Sequence, residues 1–270
     1  MDAEAFFLAD GGEPLGLSVQ SQAAPAPYSE LRCRRIEFSS RGSRVSGRLL
    51  LPPDEGGPRP LVLLQHGIGG SAQAAYLDAT AGPWVRDGAA VASIDFPLHG
   101  ERSNPKLLET LLGGLDRNAD PQGTAATLVV EFARQAVIDL QRTLDALAQL
   151  SELDTGRTVY AAFSLGAIVG AIFCSIDPRP RAAALALAGG GFGPPQVDPA
   201  RYVGRIAPRP LLLVNARRDE TIPAAAAETL HAAARDPMEI VWFDATHRKL
   251  PGAALKTMWR FLKPHLSSPA

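Results

Sequence analysis

Short apolar runs alternate with amphipathic stretches along most of this chain, and that alternation limits the folds open to it. Leu61–Gln65 and Ala89–Asp95 read as buried strands, with an Ala-rich helical stretch at 71–87 between them that ends near Gly88. Thr127–Leu150 sets Val129, Phe132, Val137, Leu140, Leu144 and Leu147 on one helical face. Then follow a strand at 158–163, a helix from Leu165, strands Ala182–Ala188 and Leu211–Asn215, a helix at 223–235, strand Glu239–Phe243 and a last helix near Gly252–Pro264. Strands separated by helices need crossover connections. The expected fold class is therefore α/β, a mostly parallel central sheet with helices on both faces. Ahead of it, Leu31–Phe38 and Val45–Leu51 flank the polar segment Ser39–Ser43 with its Gly42, which predicts an antiparallel hairpin at the N-terminal edge.

At 270 residues and 46% hydrophobic, the chain can bury a large core. Residues 1–28, rich in Ala, Gly, Pro and Gln, read as an N-terminal arm that packs on the surface or stays mobile. Residues 29–270 read as one domain with a short insertion at 101–126 and no separate lid domain. A formal net charge of −1 gives no field toward nucleic acid or an anionic membrane, so neither is expected as a partner. No run is long and apolar enough to span a bilayer. The start carries Asp2 and Glu4 before the brief apolar run Ala5–Ala9, unlike a secretory signal, so a cytoplasmic location is expected. Cys33 and Cys174 read as free thiols.

Chemistry concentrates at the ends of the strands, where functional groups gather in open parallel sheets. Ala162-Phe163-Ser164-Leu165-Gly166 lies between a strand and a helix, and its small residues two positions either side of Ser164 suit a sharp turn that presents the serine. A serine hydroxyl needs a base to accept its proton and an acid to orient that base. Asp219 follows strand 211–215, and His247 follows strand 239–243. The order Ser164, Asp219, His247 is that of α/β-hydrolases. Asp244 and Glu220 are fallback acids. His66-Gly67-Ile68-Gly69-Gly70 follows the first buried strand, and a glycine-rich turn there can aim backbone N–H groups at a developing oxyanion. The expected donors are the N–H groups of Ile68 and Leu165. His66 and His99 belong to turn motifs and are expected to hold their loops rather than react. No cluster has metal-ligand spacing, so no metal is expected. Gly189–Gly193 lacks the Lys-Ser/Thr of a phosphate loop and reads as a loop at the mouth of the site.

With these elements the chain resembles an α/β-hydrolase, and within that superfamily the small bacterial esterases of the dienelactone hydrolase-like group. The resemblance covers roughly residues 31–265. It is carried by the His66-Gly67 turn, the segment Asp95-Phe96-Pro97-Leu98-His99-Gly100-Glu101-Arg102, the Ser164 elbow, Asp219 with Pro223, and His247. It implies an α/β-hydrolase fold, hydrolysis of carboxylic esters through an acyl-enzyme, a small-molecule ester as substrate, and no cofactor. Two features depart from the family. Ala162 stands where the elbow has its first glycine. Dienelactone hydrolases proper carry cysteine where this chain has Ser164, so dienelactone is not carried over as substrate.

Two stretches bear on the substrate. Residues 101–126 contain Leu107, Leu108, Leu111, Leu112 and Leu115, spaced as a short helix with an apolar stripe that either packs on the body or lines a pocket. Gly189–Pro208 is too short for an independent lid. A fairly open apolar pocket for short to medium acyl esters is expected. The same triad serves thioesters, amides and peptides. A catalytically silent hydrolase-fold binding protein is the alternative of a different class, and a fluorophosphonate probe separates it, because only an activated serine reacts.

Overall fold

The computed structural model describes residues 3–9, 11–115, 120, 122–191 and 193–267. Its elements are α1 (Ala3–Phe7), β1 (Ser18–Gln22), β2 (Arg32–Ser40), β3 (Ser43–Leu51), β4 (Arg59–Gln65), α2 (Ala75–Arg86), β5 (Ala90–Ile94), α3 (Pro105–Gly114), α4 (Thr124–Leu147), β6 (Leu153–Phe163), α5 (Leu165–Ile176), β7 (Pro180–Ala186), β8 (Leu211–Ala216), α6 (Ala224–Ala233), β9 (Met238–Phe243) and α7 (Gly252–Leu262). The nine strands form one sheet in the order β1-β2-β3-β5-β4-β6-β7-β8-β9. β1, β2 and β3 pair antiparallel and β3 joins β5 antiparallel; every pairing from β5 across to β9 is parallel.

The continuous apolar runs of the central strands reflect burial on both faces. Along β4, Leu61 and Leu63 enter the core under α4 and α5, while Val62 and Leu64 enter the core under α2 and α7. The α4 face contributes Val129, Phe132, Val137, Leu140 and Leu144, in line with the periodic stripe. The β2–β3 hairpin turns on two residues, Arg41 at φ 46° and Gly42 at φ 70°. Positive φ at both positions matches the right-handed twist of the flanking strands.

The N-terminal segment differs from the surface arm the sequence predicts. Residues 18–22 add β1 to the sheet edge, and Phe7 is fully buried in the core. Its anchors come from far along the chain. Gln141 Nε2 donates to Phe7 O at 2.7 Å, Arg142 donates to Glu13 O at 2.7 Å, and the Glu13 carboxylate accepts the Arg41 and Gly42 N–H groups at 2.7 and 2.9 Å. Such contacts leave no local periodicity to read. Other boundaries shift modestly. α2 begins at Ala75 because residues 71–74 continue the preceding turn, and β6 begins at Leu153 through an irregular start against β4.

Candidate active site

β6 enters Ser164 and α5 leaves it, and the turn between them is sharp. Ser164 sits at φ 51°, ψ −117°, a conformation that L side chains rarely adopt. Such strain costs on the order of 1–3 kcal/mol and persists only where the surroundings enforce it. Here they do: the Ser164 N–H donates to Ala186 O at 2.8 Å, and the Tyr160 hydroxyl donates to Gly166 O at 2.7 Å. Gly166 is needed because a Cβ there would lie 2.6 Å from His66 O. Ala162 is fully buried in β6 between its partners Gln65 and Leu185, and its methyl is accommodated.

The loops after β8 and β9 bring two further groups to this turn. His247 Nε2 lies 2.9 Å from Ser164 Oγ, and His247 Nδ1 lies 2.9 and 2.8 Å from the two carboxylate oxygens of Asp219. A carboxylate beside Nδ1 calls for a proton there, which leaves the Nε2 lone pair facing the serine hydroxyl. Asp219 is itself held, since its Oδ1 accepts the N–H groups of Thr221 at 2.8 Å and Ile222 at 2.7 Å. Of the fallback acids, Glu220 accepts the backbone N–H of His247 at 3.1 Å, and Asp244 pairs with Arg218 at 2.8 Å on the exposed surface. Among the three, Asp219 is the one that meets the imidazole ring.

The glycine-rich turn lies against the serine. A Cβ on Gly67 would stand 3.2 Å from Ser164 Cβ. The Gly67 N–H donates to the Tyr76 hydroxyl at 2.8 Å, and the Gly70 N–H donates to Gly67 O at 3.1 Å. Leu165 opens α5, so its N–H has no acceptor within the helix. Ile68 and Leu165 both line the cleft that contains Ser164. Tyr76 carries no motif that sequence reading could have caught; it joins the site only because α2 returns its ring against Phe163.

His66 and His99 hold loops. The His66 ring is fully buried, and its Nε2 accepts the Phe96 N–H at 3.2 Å, so the proton sits on Nδ1 and is donated to Gly67 O at 2.8 Å. His99 Nδ1 lies 2.8 Å from Pro97 O, and its ring stacks obliquely between His66 and Phe132. Asp95 ties this layer together by accepting from the Ala72 N–H, the Ser46 hydroxyl and the Glu101 N–H at 2.7, 3.0 and 3.0 Å. Gly100, at φ 53°, is required beside it, because a Cβ would overlap the Asp95 carboxyl.

Burial holds the His66 pKa down at about 4, against about 6.5 in an unfolded chain. Between these values the unfolded chain binds a proton that the folded chain refuses. The stabilisation is therefore complete above about pH 6.5 and declines as pH falls toward 4, by up to about 3 kcal/mol. Urea titrations from pH 7 to 4 should show this loss in the wild type and a flatter acid limb in His66→Gln. Equal slopes for the two proteins would contradict it.

The cleft beside Ser164 has a volume of about 300 Å³ and is lined by Ile68, Leu112, Leu115, Leu165, Ile168 and Ile222, together with Thr221 and Pro223. The apolar stripe of residues 101–126 thus reaches the pocket through Leu112 and Leu115. Residues 116–119 and 121 of that insertion, and Phe192 of the glycine-rich loop, lie outside the described residues. Gly193 borders Leu115. Among the described residues, no group of three His, Cys, Asp or Glu side chains could hold a metal ion, and no helix is long and apolar enough to cross a membrane.

Residues 15–187 match the protein-family profile described as esterase FrsA-like. Comparison with curated proteins finds no match. Among solved structures, the chain is similar to an acetyl xylan esterase from Paenibacillus sp. R4, with a TM-score of 0.74 and 20% identity over 97% of this chain and 92% of that one. A cold-adapted esterase from an Arctic intertidal metagenomic library follows at TM-score 0.70 and 18% identity, covering 92% and 98% of the two chains. A Klebsiella pneumoniae protein provisionally described as a dienelactone hydrolase gives TM-score 0.64 and 17% identity over 93% and 98%. These likenesses agree with the sheet order and the antiparallel edge in assigning an α/β-hydrolase fold.

Proposed function

The chain belongs to the FrsA-like esterase family, and from that premise we propose that it hydrolyses carboxylic esters through an acyl-enzyme on Ser164. The observation that carries this reading is the unbroken hydrogen-bond chain from Ser164 Oγ through His247 to Asp219, with separations of 2.9 and 2.8 Å, at a strained strand-to-helix turn. His247 Nε2 accepts the hydroxyl proton while Ser164 Oγ attacks the ester carbonyl. Asp219 stabilises the imidazolium that forms. The tetrahedral oxyanion is met by the N–H groups of Ile68 and Leu165, each worth about 2.7–4 kcal/mol in the transition state. Collapse expels the alcohol, which takes the proton from His247 Nε2. Water then repeats the sequence on the acyl-enzyme and frees the acid.

The apolar lining of the cleft supports acyl groups of short to medium length, with Leu112 and Leu115 of the insertion forming part of its wall within a single domain. Labelling with a fluorophosphonate, combined with p-nitrophenyl esters of graded acyl length, tests the reading. Stoichiometric labelling at Ser164 and turnover of butyrate to octanoate esters are expected. An unlabelled serine with no turnover would refute it.

Tyr76 acts in this scheme as a positioning residue. By accepting the Gly67 N–H it fixes the peptide that precedes the Ile68 donor. Tyr76→Phe removes one hydrogen bond of about 0.5–1.5 kcal/mol, so kcat should fall by up to roughly tenfold with KM nearly unchanged. A change confined to KM or to the melting temperature would show that the hydroxyl serves packing alone.

A further inference from the structure

Behind the cleft, helix α5 borders a second space. It is a small, partly open cavity of about 30 Å³, walled by Leu111, Val129, Phe132, Val169, Ile172 and Val197. Among the described residues no polar side chain lines it, so a water there would find no side-chain partner. Ser164 borders the cleft but not the cavity, whereas Leu115, Leu165 and Ile168 border both. These three side chains are the partition between them.

The three are not equivalent. Leu165 and Ile168 project from α5 immediately after the elbow, and Leu165 supplies an expected oxyanion donor. Leu115 comes from a different element. It closes the C-terminal turn of α3 and meets the glycine loop, where a Cβ on Gly193 would lie 3.5 Å from Leu115 Cδ2. Leu115 is therefore the part of the partition that can change without disturbing the serine.

We infer that Leu115 sets the length of the acyl chain this enzyme accepts. The inference rests on the ester-hydrolysis reading above. An aliphatic tail leaving the Ser164 carbonyl runs over Leu165 and Ile168 and ends against Leu115, with the apolar cavity beyond the stop. The substrate class is thus an ester of an unbranched fatty acid. Among the described residues, Ser164 and Thr221 are the polar side chains lining the cleft and none lines the cavity, so a sugar acid or dicarboxylic acid would find no polar side chain of the described residues beyond those two.

Two substitutions with opposite effects test this. Leu115→Ala joins the cleft to the cavity and Leu115→Phe blocks the approach to it. Each is assayed on p-nitrophenyl esters from acetate to dodecanoate, and on a second series in which the acyl group is fixed and the alcohol varied. A methylene gained or lost in an apolar pocket changes kcat/KM by about 10- to 200-fold. Leu115→Ala should move the preferred acyl chain longer by two or more carbons and raise the long-to-short ratio of kcat/KM by at least about tenfold. Leu115→Phe should lower that ratio and shorten the preferred chain. The alcohol series should keep its wild-type order in both.

Unmoved acyl profiles in both variants would overturn the inference, and so would a shift that appears in the alcohol series instead. Failure of the parent reading has a different signature: the wild type itself would turn over no ester and Ser164 would stay unlabelled.

Discussion

Replacing Ser164 by Ala should lower kcat for ester hydrolysis on the order of 10⁶-fold while leaving the fold intact. The hydroxyl's side-chain partner is His247 Nε2 at 2.9 Å, so its removal deletes the proposed nucleophile and leaves only the Nε2 lone pair, beside a cleft from which water can donate to it. Alanine keeps the Cβ that packs near Gly67, and the strained backbone at φ 51° is held by the Ser164 N–H and the tight fit of Gly166, neither of which depends on the hydroxyl. The melting temperature should therefore stay within a few degrees of the wild type. Substrate should still bind, because the cleft is built by Ile68, Leu112, Leu165 and Ile222. The residual rate above the uncatalysed reaction reports what the oxyanion donors achieve without a nucleophile. Active-site titration must accompany the assay, since a trace of wild-type protein would mask a loss this large. Turnover within tenfold of the wild type would remove Ser164 from the mechanism.

The fold class was legible because the physical cause of the pattern is local. A strand buried on both faces must be apolar at every position, as Leu61–Leu64 are, and a helix covering one face must be apolar at helical spacing, as Val129 to Leu144 are. The meeting of Ser164, Asp219 and His247 was legible for a related reason. Each follows a parallel strand, and parallel strands deliver their following residues to the same edge of the sheet. The elbow left its own mark, because Gly166 faces a carbonyl that a Cβ would strike.

What stayed illegible depends on partners distant in the chain. β1 is a polar five-residue segment whose identity as a strand comes from pairing with β2, and Phe7 is held by Gln141 through a bond spanning 134 positions. Tyr76 reads as one more residue of an Ala-rich helix. Its place at the oxyanion turn follows from where α2 packs, which no spacing encodes. The leucine stripe of 101–126 was visible, but the division of labour within it was not: Leu111 faces the small cavity, Leu112 the cleft, and Leu115 both.

Asp219→Asn should cost about 10⁴-fold in kcat with little change in KM, and the reason lies in which oxygen is pinned. Oδ1 accepts the Thr221 and Ile222 N–H groups, so in the variant the amide oxygen must stay there. The amide nitrogen then takes the place of Oδ2, 2.8 Å from His247 Nδ1, and presents a hydrogen to it, while the amide oxygen, 2.9 Å from Nδ1, has its lone pairs engaged by the two backbone N–H groups. An amide that donates to Nδ1 requires that nitrogen to be bare, which drives the imidazole proton to Nε2. Nε2 then faces Ser164 Oγ as a donor and has no lone pair with which to accept the hydroxyl proton. The geometry survives and the base does not, so the melting temperature should change little beside the loss in rate. Glu220→Gln is the matched control. Glu220 meets His247 through the backbone N–H at 3.1 Å, and an amide oxygen accepts this as well as a carboxylate oxygen, so the control should lose less than about tenfold. If the losses were reversed, with Glu220→Gln crippled and Asp219→Asn nearly wild type, the acid that orients His247 would be Glu220, and the ring would have to turn from its present position to reach it.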